Sequence, residues 1–233
     1  MMHGAGNDET GQPGRLIAVG DIHGCLAPLV ALLEAIRPQP QDRIVTLGDY
    51  VDRGPDSRGV IEELIALARR CRLIPLLGNH DEMLLDVCSG RRWLLNDWLA
   101  FGGAATLASY GGAGPEQIPR EHIEFLEHAR SLYEAENEFF VHASYLPEQP
   151  LTDQPVHVMH WQWIRRNPPG PHLSGKTAFV GHTSQKDGQI LDLGHLKCID
   201  TFCYGGKWLT AMEVRTGRVW QADPAGKLRE ATR

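Results

Sequence analysis

Three short apolar runs, each ending at a glycine, constrain this chain more than any other feature. They are RLIAV before Gly20, RIVTL before Gly48 and RLIPLL before Gly78. Runs that are almost wholly apolar are typical of strands buried on both faces. Between them, residues 26–36 and 57–70 repeat apolar side chains at helical spacing. The order predicts a β-α-β-α-β unit with parallel strands, because such crossovers are right-handed.

The rest of the chain divides into a helical stretch and a second set of strands. Residues 91–130 hold the segments WLLNDWLAFGG and REHIEFLEHA around a glycine-rich turn, which predicts a small helical cap. We expect Trp93, Trp98 and Phe101 to form the core of this cap and not a platform for substrate. Later strands are expected in EFFVHA, TAFVGHT, ILDLG and LKCID. KWLTAMEV and RVWQAD, joined around Gly217, predict a hairpin.

Length and composition fit one folded domain. The chain has 233 residues, of which 42% are hydrophobic and 22% charged. We expect residues 15–233 to form a single domain and the polar residues 1–14 to be a disordered lead-in. No run approaches the ~20 apolar residues of a membrane span. Five scattered cysteines without C-x-x-C spacing favour reduced thiols and a cytoplasmic location.

The charge balance limits the partners. A formal net charge of −6 at pH 7 provides little general attraction for nucleic acid or for an anionic membrane surface. We therefore expect neither as a partner, and a phosphate-bearing ligand must be held by a local cationic site. No segment specifies a subunit interface, so the oligomeric state is left open.

Side chains that bind metals follow the ends of the predicted strands. In open α/β sheets, ligands bind at the carboxyl ends of the strands, and GDIHG, GDYVDRG, GNHD, VHA and GHT stand at five such ends. Oxygen ligands mixed with imidazoles suit Mn²⁺, Fe or Zn²⁺ better than Ca²⁺. The side chains concerned are Asp21, His23, Asp49, Asp52, Arg53, Asn79, His80, His142 and His182.

One such residue alone would carry little meaning, because Asp and His after a strand are usually turn or cap residues. Five occurrences at successive strand ends indicate a shared site. Glycine precedes Asp21, Asp49, Asn79 and His182. We expect each glycine to let the chain turn sharply, so that the next side chain reaches into the site.

Together these motifs resemble those of the calcineurin-like metallophosphoesterases, and within them the bacterial PPP-type serine/threonine protein phosphatases. The resemblance rests on G-D-x-H-G, G-D-x-V-D-R-G, G-N-H-D, a single H and G-H, and runs from about Arg15 to Val214. It implies an α/β metallophosphoesterase fold, with a central β-sandwich of mixed sheets flanked by helices. It also implies two divalent metal ions, Mn²⁺ first, with Fe or Zn²⁺ as alternatives.

The resemblance further implies a role for each ligand. The expected set is Asp21 and His23 for the first ion, Asp49 as the bridge, and Asn79, His142 and His182 for the second ion. The reaction it implies is in-line attack on phosphorus by a hydroxide shared between the two ions, without a covalent enzyme intermediate.

Three further residues receive roles in the same way. His80 would protonate the leaving alkoxide, Asp52 would orient that imidazole and raise its pKa, and Arg53 would make a two-pronged contact with phosphate. The alternative for Asp52 and Arg53 is a surface ion pair. A second phosphate-binding arginine is expected in HWQWIRRN, where we favour Arg165 over Arg166; the alternative is that both lie on a solvated helix face.

Four residues are weaker candidates. His160, His172 and His195 lack the setting of a strand followed by glycine, so we do not expect them to be ligands, although His160 could line the pocket. Asp81 in GNHD replaces the Glu of most eukaryotic protein phosphatases. The GNHD form is also found in bacterial relatives and in symmetrical dinucleoside tetraphosphatases.

Two substrate classes follow from the resemblance. Dinucleoside tetraphosphatases typically carry a longer insertion before the final G-H and an altered D-R-G. Here only 39 residues separate His142 from His182, and Asp52 is present. We therefore expect a phosphorylated protein or a small phosphoester as partner, with phosphoserine, phosphothreonine and also phosphotyrosine as targets. The alternative is symmetrical cleavage of dinucleoside tetraphosphates.

The stretch GPHLSGKT, from Gly170 to Thr177, matches the phosphate-loop pattern G-x-x-x-x-G-K-T/S. A phosphate loop needs a strand before it and a helix after it. Here RRNPP precedes it and the strand-like AFVGHT follows, so we expect a structural turn. A nucleotide-binding module remains the remote alternative, and a non-catalytic scaffold that kept the fold is a further one.

Overall fold

The computed structural model describes residues 14–229. The predicted lead-in therefore lies, apart from Gly14, outside the described residues. In the part that is described, no helix has the length and apolar character needed to cross a bilayer. The chain begins with β1 (Leu16–Val19), α1 (Leu26–Ile36), β2 (Arg43–Thr46), α2 (Ser57–Ala68) and β3 (Arg72–Pro75). Strand β2 pairs in parallel with β1 and with β3, as the sequence predicts.

Helices dominate the middle of the chain and strands its last third. The helices are α3 (Asn79–Cys88), α4 (Leu95–Trp98), α5 (Ala104–Ser109), α6 (Arg120–Glu127) and α7 (Val156–Trp161). The strands are β4 (Leu132–Glu134), β5 (Glu138–Val141), β6 (Thr177–Val180), β7 (Leu191–Asp192), β8 (Leu196–Cys198), β9 (Leu209–Glu213) and β10 (Val219–Ala222).

Two mixed five-stranded sheets form the centre of the fold. Their strand orders are β10-β9-β1-β2-β3 and β4-β5-β6-β8-β7. The predicted hairpin is the antiparallel pair of β9 and β10. Alternate side chains of the two sheets meet in one apolar cluster that includes Leu16, Val45, Ile74, Phe140 and Phe179. This is the β-sandwich expected from the motifs.

The opposite face of each sheet is covered as well. Side chains such as Ile17 and Ile44 pack with apolar residues of α1 and α2, including Leu32 and Leu64. On the outer face of the second sheet, Phe139 and its neighbours form a third cluster. Because both faces are buried, central strands such as β1, β5 and β6 are largely apolar, and polar side chains emerge at their carboxyl ends.

The cap differs from expectation at two of the three aromatic residues that were expected to form its core. Trp98 is fully buried, as predicted, but Trp93 is 75% exposed and Phe101 is 54% exposed, so the prediction that they form the cap core is wrong. For Phe101 the physical reason is an interruption of the helix, because Gly102 has a φ of 119° and breaks the regular repeat after α4. Trp93 lies before α4, in a separate 3-10 turn (Arg92–Leu94). Helices α5 and α6 pack against α2 and hold the cap beside the first sheet.

Candidate active site

The site lies where the carboxyl ends of strands from both sheets meet. Asp21 and His23 follow β1, Asp49 and Asp52 follow β2, and Asn79 and His80 begin α3 directly after β3. From the second sheet, His142 follows β5 and His182 follows β6. All eight are at least largely buried. The structure thus brings together the side chains that the sequence placed at separate strand ends.

Asp49 stands at the centre of two groups of potential metal ligands. His23, Asp49 and His80 each offer an atom within 4.8 Å of the others, and so do Asp49, His142 and His182. Asp49 Oδ2 lies 3.3 Å from His23 Nε2, and Asp49 Oδ1 lies 3.6 Å from His142 Nε2. One carboxylate with an oxygen in each group can bridge two ions. The presence of His80 in the first group was not expected.

Fixed acceptors set the orientation of the imidazoles. His23 Nδ1 donates to Val51 O at 2.9 Å and His142 Nδ1 donates to Leu47 O at 2.7 Å, which leaves each Nε2 with its lone pair towards the site. His182 is turned the other way, because its Nε2 donates to Trp161 O at 3.1 Å. An imidazole fixed in this way is prepared to bind a metal through its remaining nitrogen.

Three lone pairs converge at Asn79. Its Oδ1 lies 3.2 Å from His142 Nε2 and 2.9 Å from His182 Nδ1, and neither nitrogen carries a proton in the arrangement just described. Burial, followed by the charge of His142, lowers the pKa of His182 to about 3, so this ring is neutral. Burial also lowers the pKa of His142. Acceptor atoms this close repel one another unless a cation lies among them.

Asp21 provides a second indication of a cation site. Its Oδ2 accepts the backbone N–H of His182 at 2.8 Å, but its buried Oδ1 has no hydrogen-bond partner among residues 14–229. Burial raises the pKa of Asp21 well above its usual range, and the charges of Asp200 and Asp49 raise it further. An unpaired buried carboxylate is costly, and a divalent ion removes that cost. The residues present therefore fit a two-metal centre.

The glycines before the candidate ligands are needed more for the space that a missing Cβ leaves than for a sharp backbone turn. Of the four, Gly48 alone has a positive φ, 100°, as a sharp turn requires. A Cβ at Gly181 would overlap Oδ1 of Asp21, and a Cβ at Gly78 would overlap Oδ1 of Asp49. The expected turn is thus confirmed for one glycine, whereas close approach of a carboxylate accounts for two others.

His80 and Asp52 form a buried pair. Nδ1 of His80 donates to Oδ2 of Asp52 at 2.7 Å, and the side chains are 1% and 0% exposed. The alternative of a surface ion pair is therefore wrong for Asp52. The pair leaves Nε2 as the nitrogen of His80 available to the site, which suits a group that delivers a proton.

Arg53 lies at the edge of the same site. Its Nη1 donates to His23 Nε2 at 2.8 Å, and its guanidinium lies 4.6 Å from the centre of the Tyr204 ring. Tyr204 also makes an edge contact with the His23 ring, with ring centres 4.8 Å apart. The arginine is held by the Tyr204 ring and by its bond to His23, and no carboxylate within residues 14–229 pairs with it, so its other donors stay available for an anion.

Asp81 accepts backbone hydrogen bonds and has a structural role. Its two carboxylate oxygens accept the backbone N–H groups of Asp49 at 2.8 Å, Tyr50 at 2.9 Å and Gly78 at 3.0 Å. It therefore ties the loop after β2 to the start of α3, and Asp49 is fixed by it. This role does not depend on the substrate.

Backbone strain is concentrated at the site. Among the described residues, seven that are not glycine have a positive φ, and five of these are predicted site residues. Strained backbone of this kind costs of order 1–3 kcal/mol per residue and gathers at functional sites. The five are His23, Asp49, Asp52, Arg53 and His182.

The predicted second arginine reaches the site only through a neighbour. Arg165 is exposed, and its guanidinium lies 5.2 Å from the centre of the Trp163 ring. Trp163 in turn makes an edge contact with His182, at 5.4 Å between ring centres. Arg166 is also exposed. On the other side, the exposed Phe101 lies 6.5 Å from the His80 ring centre.

The three histidines that were weaker candidates are held by protein groups. His160 Nδ1 lies 3.0 Å from Glu82 Oε2, His172 bonds Gln149 O and Ser174, and His195 Nε2 donates to Pro169 O at 2.9 Å. None of the three belongs to a group of potential ligands within residues 14–229.

The GPHLSGKT stretch is a loop followed by β6, so it lacks the helix that a phosphate loop requires. Lys176 Nζ donates to Ala135 O at 2.6 Å and pairs with Glu134 at 2.7 Å. The lysine fastens the loop to the start of the second sheet.

Several residues near the site were not found by sequence reasoning. Asp200 follows β8 and acts on Asp21 by charge, and its own buried Oδ2 has no hydrogen-bond partner in the part of the chain that the structure describes. The signal was present, since LKCID is a strand followed by Asp, but no glycine marked it. Thr106 and Tyr204 carried no signal, and Trp98 was read as core only.

Comparison with known proteins agrees with this geometry. The family profile described as calcineurin-like phosphoesterase matches residues 14–204. Serine/threonine-protein phosphatase 1 of Salmonella typhimurium is 43% identical over 86 residues, which is 34% of this chain and 38% of that protein. A symmetrical bis(5'-nucleosyl)-tetraphosphatase of a Janthinobacterium species is 34% identical over 132 residues, 56% of this chain and 44% of that protein. Each match thus spans less than half of the relative.

Solved structures match over more of the chain. A proposed diadenosine tetraphosphatase superposes with a TM-score of 0.67 and 25% identity, covering 91% of this chain and 94% of the other. A cold-active protein-tyrosine phosphatase of Shewanella superposes with a TM-score of 0.66 over 94% of this chain and 80% of the other. At 15% identity, the latter likeness concerns the fold alone.

Proposed function

The chain belongs to the calcineurin-like phosphoesterase family, and we propose that it hydrolyses phosphoric esters or anhydrides with two divalent metal ions. The observation that carries this proposal is the sharing of Asp49 between two groups of potential ligands. The first ion would be held by Asp21 and His23 and the second by Asn79, His142 and His182, with Asp49 common to both. Mn²⁺ is the first ion to test. The metals, when bound, would polarise the phosphoryl oxygens and lower the pKa of a water molecule.

The protein's own side chains would complete the reaction. Arg53 would bind two phosphoryl oxygens through its planar guanidinium, which Tyr204 supports from one face. His80 would give the proton on Nε2 to the departing oxygen while its Nδ1–H remains bound to Asp52. Burial of the pair excludes water from it, so the proton reaches the leaving group and not solvent.

For the substrate, we favour dinucleoside tetraphosphates, cleaved symmetrically, over the phosphoproteins that the sequence placed first. Exposed aromatic side chains flank the site: Phe101 lies beside His80, and Trp163, 57% exposed, lies beside His182. Bases stack on such rings with about 1–3 kcal/mol each. The similarity to a proposed diadenosine tetraphosphatase over nearly the whole chain supports the same choice.

Phosphoproteins remain the second candidate because of one feature. The buried pair of His80 and Asp52 is of most use when the leaving group is a serine or threonine alkoxide, which needs a proton. A nucleoside diphosphate leaves as a stable anion and gains less from such help. The match to a serine/threonine-protein phosphatase agrees with this candidate.

A direct comparison decides between the two substrates. Turnover of diadenosine tetraphosphate and of a phosphoserine peptide would be measured in one Mn²⁺ buffer, with nucleotide products separated by chromatography. We expect ADP as the sole product of the dinucleotide and a higher kcat/KM for it. Turnover of the peptide alone would reverse the order, and no turnover of any phosphoester would contradict the family activity.

The aromatic flanks have their own test. Phe101→Ala and Trp163→Ala should raise KM for diadenosine tetraphosphate by about tenfold each, while turnover of p-nitrophenyl phosphate, which has no base, stays close to wild type. Trp93→Ala is the matched control, since Trp93 is 75% exposed but belongs to another turn of the cap. Equal effects of all three substitutions would contradict stacking.

A further inference from the structure

The carboxylate of Asp52 receives more hydrogen bonds than its partner His80 supplies. Trp98 Nε1 donates to both oxygens at 3.0 Å, and Thr106 Oγ1 donates to Oδ1 at 2.7 Å. All four side chains are buried. Both extra donors belong to the cap: Trp98 lies 46 residues and Thr106 lies 54 residues after Asp52 in the sequence.

The cap also holds the backbone at Asp52 and Arg53. These two consecutive residues have φ values of 71° and 70°, a left-handed conformation that costs roughly 1–2 kcal/mol per residue. The Asp52 N–H donates to Thr106 Oγ1 at 2.8 Å, and the Arg53 N–H donates to Gly102 O at 3.2 Å. The strained turn therefore has its amide groups satisfied by the cap.

Two glycines of the cap allow this contact. A Cβ on Gly102 would come within 2.9 Å of the Arg53 side chain, and a Cβ on Gly103 would overlap the Trp98 ring. Gly102 also has a φ of 119°, which other residues rarely adopt. The two glycines, Gly102 and Gly103, thus allow this part of the cap to lie close to Asp52 and Arg53.

We propose that the cap segment 95–109 positions the proton donor, with Trp98 and Thr106 as positioning residues that act on His80 through Asp52. This inference rests on the proposed phosphoester hydrolysis. The two donors keep the Asp52 carboxylate in one orientation, so that Oδ2 always faces His80 Nδ1. With that hydrogen bond fixed, Nε2 of His80 is held towards the leaving group.

The leaving group gives this proposal a specific signature. If the two residues serve proton delivery, their loss should matter most when the departing oxygen needs a proton most. Trp98→Phe and Thr106→Val should lower kcat for the alkyl ester glycerol phosphate about tenfold, lower it less for phenyl phosphate, and leave p-nitrophenyl phosphate nearly unchanged. KM and metal content should stay at the wild-type values, and Thr106→Ser, which keeps the hydroxyl, should restore the rate.

Matched controls come from the same cap. Trp93→Phe makes the same exchange at an exposed residue, and Ser109→Ala removes a hydroxyl of α5 that bonds Thr106 O and not Asp52. Both should behave as wild type. Equal losses of kcat on all three esters, or loss of metal in Trp98→Phe or Thr106→Val, would overturn the proposal.

A spectroscopic measurement separates this inference from the activity. The protein would be loaded with diamagnetic Zn²⁺, because Mn²⁺ would broaden the resonances of nearby protons. The His80 Nδ1 proton, bound to a carboxylate in a buried pair, should give a strongly downfield resonance in the wild type, identified by its loss in His80→Asn. The signal should persist in Thr106→Ser and broaden or vanish in Trp98→Phe and Thr106→Val. An unchanged signal in both variants would overturn the positioning role even in a protein that hydrolyses no ester, whereas inactivity alone would count against the proposed function.

Discussion

Nδ1 of His80 lies 2.7 Å from Oδ2 of Asp52, with both side chains buried. The same histidine also belongs to a group of potential ligands with His23 and Asp49. It could therefore give a proton or bind an ion, but not both through the same Nε2. The two roles lead to opposite results when His80 is replaced.

The substitution His80→Asn should keep both metals and lose turnover in proportion to the need for protonation. We expect a loss of about 10²–10⁴ in kcat on a phosphoserine peptide and a smaller one on p-nitrophenyl phosphate, whose phenolate leaves with little help. Elemental analysis and the two rates together decide the role. A variant stripped of metal would show that His80 is a ligand, and equal impairment on both substrates would contradict its role as proton donor.

The substitution Asp49→Asn should remove metal and activity together. Asp49 has one oxygen near each group of imidazoles, and without its charge two cations would repel each other at short range. Metal content would be measured beside turnover of p-nitrophenyl phosphate. Asp97→Asn, at an exposed position of the cap, is the control. Full metal content in Asp49→Asn would refute the bridge.

Strand ends could be predicted because their signal is local. An apolar run and a glycine precede each of Asp21, Asp49, Asn79 and His182. The topology of the two sheets brings these strand ends together independently of the loop conformations. Asp200 lacks this signal, because Ile199 and not a glycine precedes it. The β-sandwich and the main set of candidate ligands could therefore be predicted from short segments of the sequence.

What could not be predicted depends on contacts between distant segments. Trp98 has an apolar pattern typical of core, yet its one polar atom meets Asp52, 46 residues away. The three amides that Asp81 accepts include two from residues 31 and 32 positions earlier. The exposure of Phe101 follows from the break at Gly102, which helical periodicity does not reveal.

The substitution Lys176→Ala should leave catalysis almost untouched. Lys176 is bound to Ala135 O and Glu134, away from Asp49 and the imidazoles. We expect near wild-type turnover of p-nitrophenyl phosphate and a loss of about 1 kcal/mol or less in the free energy of unfolding. Loss of nucleotide binding together with loss of turnover would instead support the phosphate-loop hypothesis.

Acid should weaken the contact between Arg15 and Asp42. Burial would raise the pKa of Asp42, but the hydrogen bonds from Arg15 and Gln39 outweigh it and lower the pKa below its usual value. A lowered folded-state pKa stabilises the protein above the unfolded-state value of about 3.9, and this contribution is lost as the pH falls through the folded-state value.

The test compares wild type with Asp42→Asn by urea unfolding in a chelator, so that metal loss does not contribute. The difference in the free energy of unfolding should be constant from about pH 8 to pH 5 and should shrink below about pH 4. A difference that stays the same down to pH 3 would show that the charge of Asp42 is not what stabilises this contact.

The substitution Gly181→Ala should damage the metal centre with the smallest possible change. The added Cβ would overlap Oδ1 of Asp21, the buried oxygen that lacks a hydrogen-bond partner among the described residues and that we assign to the first ion. Because Gly181 does not have a positive φ, alanine meets no backbone strain, and the effect comes from contact alone. Gly170→Ala is the matched control, since a Cβ there meets no atom of residues 14–229 within 4 Å. We expect the Gly181→Ala variant to bind fewer metal ions and its kcat to fall at least tenfold. The Gly170→Ala variant should keep the wild-type metal content and kcat. Wild-type metal content in Gly181→Ala would show that Asp21 Oδ1 is not a ligand.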